Sequence, residues 1–178
     1  MSDTPFFDET GPLTYDPDRD EHSSSPIAIP LLDLDDAVIV IEGYLDDPCP
    51  ADFRDAIQNF FRCERSTLLR SSDDLFRYYT DVKSLVDDDD IPAITKPEGA
   101  WDHIQFGREV CFVRRIGGDN RIYATIECGC DWEREHGLQI VLRDGHSVCK
   151  LGPYDGHLTN ADAFADPSLE DVVYREFG

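Results

Sequence analysis

The stretch VCFVRRIGGDNRIYATIECGCDWEREHGLQIVLRDGHSVCKL, residues 110–151, decides the fold. Ile122, Ala124 and Ile126 alternate with Tyr123, Thr125 and Glu127, the period of a strand with one buried face. Val110 to Ile116 reads as the strand before it, and Leu138 to Leu142 and Ser147 to Leu151 as the two after it. Gly117-Gly118-Asp119-Asn120 and Asp144-Gly145 mark turns, the second being the strongest short hairpin signal a sequence carries. Residues 103–151 are therefore expected to form an antiparallel sheet.

Upstream, the period changes. Phe53, Ala56, Ile57, Phe60 and Phe61 recur at helical spacing after Pro50, with Asp46 and Asp47 placed for the positive end of a helix. Leu68, Leu69, Leu75, Phe76, Tyr79 and Val82 continue the pattern, so 51–86 is expected to be a helical hairpin. Before it, Gly11 to Tyr15, Ile27 to Leu32 and the β-branched run Ala37 to Ile41 predict a three-stranded N-terminal meander. Asp- and Ser-rich residues 16–25 read as a flexible loop, and Asp87 to Asp90 as a solvated charge run rather than a calcium loop. Asp166-Pro167 predicts a last helix over 166–175. The expected fold class is α+β, one domain over residues 1–178, with the antiparallel sheet packed against the helical hairpin.

Charge is the outlying property. Asp and Glu total 38 against 16 Lys and Arg, a net charge of -22, whereas the hydrophobic fraction of 40% is ordinary and sufficient for a core. A field of this sign repels phosphate backbones and anionic lipid and favours basic proteins and cations, so nucleic acid and membrane are not expected partners. The same charge also suits a merely soluble or salt-adapted surface. The first 20 residues lack a basic region followed by an apolar run, and no stretch reaches the length of a membrane span. A cytoplasmic location and reduced thiols at all six cysteines are the corresponding expectations.

The densest polar cluster runs from Cys128 through Gly137 and is expected to connect two strands at one end of the sheet. Within it Trp132, Glu133, Glu135 and His136 are candidate functional residues, with Glu135 and His136 as an acid–base pair. Asp155 and His157, after the sheet, complete the candidate loop if the two corners meet. Cys128, Cys130, His136 and His157 are the candidate zinc ligands, although a Cys-x-Cys spacing is not the usual one for zinc. An ordinary turn, with Trp132 plugging the core, Gly137 permitting the backbone and Glu135 pairing with His136, accounts for the same residues. No phosphate-binding loop, GxGxxG, GxSxG or HExxH pattern occurs, and no cofactor is expected.

The segment Cys130-Asp131-Trp132-Glu133-Arg134-Glu135-His136-Gly137-Leu138-Gln139, with Asp155-Gly156-His157 after it, resembles a family of uncharacterised bacterial proteins carrying a CDWE-x-EHGL segment and a later DGH. Gly11 to Asp16 and Phe76 to Tyr79 resemble earlier landmarks of that family; Cys128 lies outside its pattern. The resemblance implies a bacterial cytosolic protein with a mixed sheet-and-helix domain, and brings no established activity. The expected function is a non-enzymatic acidic binding protein, of an immunity or accessory kind, that masks a basic protein partner. The alternative is a metal-binding module or metal-dependent hydrolase built on Glu135, His136, Asp155 and His157.

Overall fold

A computed structural model of the chain describes residues 5–86 and 91–177. The Asp87 to Asp90 run lies outside the described residues. In chain order, β1 (Phe6–Phe7) and β2 (Gly11–Pro12) form a small antiparallel ribbon, followed by β3 (Thr14–Asp16), β4 (Glu21–Ser23), β5 (Ile27–Ile29) and β6 (Leu34–Glu42). Next come α1 (Ala51–Phe61), α2 (Arg65–Leu69) and α3 (Ser72–Leu85), then β7 (Ile104–Arg114), β8 (Ile122–Cys130), β9 (Glu133–Arg143) and β10 (Ser147–Gly152). The last helix is α4 (Asn160–Phe164). Among the described residues, the larger sheet orders its strands β10-β9-β8-β7-β6-β4-β3, with β5 also paired to β6. The protein is α+β, and its sheet is mostly antiparallel. No helix among the described residues is long and apolar enough to cross a membrane.

Three expectations need correction. The sheet is mixed, because β6 and β7 run parallel with Val38 opposite Glu109 and Ile41 opposite Phe112. Parallel neighbours need a long crossover, which the helical stretch between them supplies. The near-continuous apolar run of β6 is itself the habit of a covered, parallel strand. Residues 16–25 are not loop throughout: β3 ends at Asp16 and β4 spans Glu21–Ser23, paired with Tyr15 opposite His22, and Asp20 sits in the turn between them at φ 55°. A short polar side chain tolerates that left-handed backbone. The helix expected over 166–175 is also absent. Asp166 accepts a hydrogen bond from Ser168 N at 3.0 Å, but Pro167 opens only a 3-10 turn, Pro167–Leu169. The chain beyond gives its carbonyls to tertiary partners instead, with Leu151 N donating to Val173 O at 2.9 Å and Asn160 Nδ2 to Val172 O at 2.7 Å. The helix in this region is α4, capped by Thr159 accepting from Asp162 N at 3.1 Å.

Backbone contacts gather into two compact units. The first comprises residues 1–65, 108–125 and 142–147. Its core takes Phe53, Ala56, Ile57 and Phe60 from the apolar face of α1, and Phe60 meets Phe112 edge to face at 5.7 Å. The Asp144-Gly145 turn has both φ angles positive, at 52° and 73°, as the hairpin signal requires. A Cβ on Gly145 would lie 2.0 Å from Ala56 O, so only glycine fits there. Arg114 is the charged hub: Asp47 lies 2.6 Å away and Asp52 2.9 Å away.

His22 is buried in the same unit, 2% exposed, beside the rings of Tyr15 and Tyr44, and its Nδ1 has no hydrogen-bond partner among the described residues. Burial lowers its pKa, against the opposing pull of Asp20. The unfolded chain therefore takes up a proton near the ordinary value of about 6.5, before the folded chain does. Stability should be full above that pH and fall as the pH drops below it. His22→Phe should flatten that slope, which denaturant unfolding between about pH 5 and 7 would reveal.

The second unit comprises residues 66–107, 126–141 and 148–178. In α3, Ser72 opens the helix and its hydroxyl donates to Leu69 O at 2.6 Å. Leu75, Tyr78, Tyr79 and Val82 form the buried face. Trp132 packs edge-on against Tyr78 and Tyr79, with centroids 6.0 and 5.6 Å apart, and Tyr174 joins Tyr78 from the C-terminal segment. Tyr174 is anchored by its hydroxyl, which donates to Asp81 at 2.8 Å.

Candidate functional site

β8 and β9 meet at a turn of only two residues, Asp131 and Trp132, so the polar cluster is mostly strand rather than a connection. Strand alternation puts Cys128 and Cys130 on one face, and both are buried. Burial pushes each thiol up to about 12, so neither supplies a ready thiolate at neutral pH. The Cys130 thiol donates to Glu133 O at 3.4 Å. Asp131 is held by His103 Nδ1 at 2.8 Å and by Gln105 Nε2 at 3.0 Å, and the His103 hydrogen bond keeps its carboxyl below the usual range.

Glu133 organises the first corner. Its carboxylate accepts the Glu135 amide at 2.8 Å and the His136 amide at 3.2 Å, and contacts His136 Nδ1 at 2.8 Å. The partner of His136 is thus Glu133 and not Glu135, which is exposed. Gly137 follows at φ +60°, where a Cβ would lie 2.4 Å from Cys128 O; its own carbonyl accepts the Tyr78 hydroxyl at 2.8 Å. Before that glycine His136 is exposed, and after it Leu138, Gln139 and Ile140 are buried.

The second corner leaves β10. Asp155 Oδ1 accepts the His157 amide at 2.8 Å and lies 3.4 Å from His157 Nδ1. It also pairs with Lys150 Nζ at 2.5 Å. Lys150 is only 2% exposed, and its ammonium donates a further bond to Gln139 Oε1 at 3.1 Å. The two corners touch through the backbone, where Tyr154 N donates to His136 O at 3.4 Å. The structure therefore brings the His136 and His157 segments side by side. It keeps Trp132, Cys128 and Cys130 beneath them as interior.

The sequence reading missed Lys150 and Gln139, which join the corners from below. The available signal was a lysine inside the apolar run Val148-Cys149-Lys150-Leu151, since a buried lysine requires a partner. His103, sequence-distant from the cluster, was missed for want of any local pattern. Among the described residues, no group of three or more His, Cys, Asp and Glu side chains is arranged to hold a metal ion.

No curated protein and no solved structure matches the chain. Residues 9–158 match the model of the Domain of unknown function (DUF6985), a span that holds both corners and the Lys150 pair beneath them. The chain belongs to that family.

Proposed function

We propose that this chain is a non-enzymatic acidic binding module whose partner is a basic protein. The observation that carries the reading is the charge surplus of 22, in a chain where several basic groups are also tied to its own carboxylates. Arg114 is engaged by Asp47 and Asp52, Arg121 by Asp144, Arg108 by Asp36, Arg77 by Asp74, and Lys150 by Asp155. A net charge of this size accelerates encounter with a cationic protein and repels phosphate and anionic lipid. At the two corners His136 is paired with Glu133, and Lys150 with Asp155. Affinity capture from native bacterial lysate is the test. One specific basic protein should be retained at low salt and released at high salt; retention of nothing salt-sensitive would count against the proposal.

The backbone contact between the corners favours one second reading, a metal ion shared by His136 and His157. For that, both imidazole signals should move together in an NMR titration with zinc. Independent or absent responses would remove it.

A further inference from the structure

We infer that the basic partner inserts an arginine or lysine side chain into a cleft of about 520 Å3 in the first unit, an assignment that rests on the binding reading above. The cleft is of ligand size. Its own cations are already engaged, Arg114 by Asp47 at 2.6 Å and Arg19 by Glu21 at 3.6 Å. Asp20, Glu42 and Asp46 form the remaining carboxylate surplus in its lining. Asp20 accepts the Tyr15 hydroxyl and Glu42 the Cys111 thiol, neutral donors that leave both negative charges in place.

Two further observations point to a cation with an aliphatic stem. Glu21 and Glu42 are direct cross-strand partners in the β4–β6 pair, a like-charge opposition that Arg19 relieves at Glu21 and that a positive group beside Glu42 would relieve further. The rest of the lining includes Val113, Pro48 and Ile116, and Ile116 at 87% exposure is the most exposed large hydrophobic side chain among the described residues. The methylenes of an incoming arginine or lysine match that apolar strip while its head reaches the carboxylates. A second cleft in this unit, about 390 Å3, suits the role less well: its Asp144 and Asp52 are already held by Arg121 and Arg114.

The test uses the full chain and a fluorescent oligo-arginine peptide, with affinity read by anisotropy at low salt. The paired variant E42Q/D46N should lose about tenfold in affinity, and the charge-matched control E98Q/D102N on the second unit no more than about twofold. Ile116→Ser should weaken binding severalfold without a change of charge. Equal losses for the two paired variants, or an Ile116→Ser chain that binds as tightly as the parent, would overturn the cleft while the acidic binding reading stands. A parent chain that does not bind the peptide at all would overturn both.

Discussion

Asp155→Ala should destabilise the protein by about 2–3 kcal/mol, because it strands the Lys150 ammonium in the interior with Gln139 as its remaining partner among the described residues. Breaking a fully buried pair costs about 3–5 kcal/mol; Asp155 is 35% exposed, so water screens part of this one and the expected loss is smaller. The reverse substitution should be milder. Lys150→Met keeps the volume of the buried stem and leaves Asp155 able to reach solvent, so about 1 kcal/mol is expected. The double variant should resemble Lys150→Met alone, since the stranded charge is gone. Urea unfolding with unchanged m values measures all three. If Asp155→Ala costs no more than Lys150→Met, the pair is not what joins the second corner to the interior.

Trp132→Ala should cost about 3–5 kcal/mol, the usual range for emptying a large aromatic site in a core. The indole is 3% exposed and wedged edge-on between Tyr78 and Tyr79, so its removal leaves a cavity that the two rings cannot fill without moving. In a chain of 178 residues that corresponds to a fall in Tm on the order of 10 °C. Trp132→Phe separates packing from polarity. The indole Nε1 has no hydrogen-bond partner among the described residues, so a phenyl ring forfeits volume but no hydrogen bond. It should cost about 2 kcal/mol or less. Thermal unfolding distinguishes the two. Equal losses for Phe and Ala would mean that the indole N–H matters after all.

What could be read from the residues was mostly local. The Asp144-Gly145 turn and the apolar face of α1 declare themselves within ten residues of sequence, and both are present; the alternation of β8 holds from Ala124 onward, whereas Tyr123 is buried with its neighbours. The parallel pairing of β6 with β7 was not legible, because it joins residues about 70 positions apart and leaves no mark on either strand beyond their composition. The hairpin of β3 and β4 hid behind an Asp- and Ser-rich composition that normally means loop, though His22 at its centre is buried. The C-terminal helix failed for another reason. Its capping signal at Asp166 is real, but only one 3-10 turn follows, and the chain beyond it is held by tertiary bonds from Asn160 and Leu151 to the Val172 and Val173 carbonyls.

For the candidate site, the polar segments were legible and their wiring was not. His136 and Asp155-Gly156-His157 are conspicuous as sequence, and their adjacency rests on one backbone hydrogen bond between Tyr154 and His136. The roles of Glu133, Lys150 and Gln139 depend on which side chain faces which across β9 and β10. That geometry follows from register, and a single-residue slip would reverse it.

The most direct measurement is an isothermal titration of the intact chain with the basic partner proposed above, repeated over a series of salt concentrations. Affinity should fall steeply and continuously as salt rises, while the fold stays intact by circular dichroism. An affinity indifferent to salt would contradict an account in which surplus carboxylate charge drives recognition.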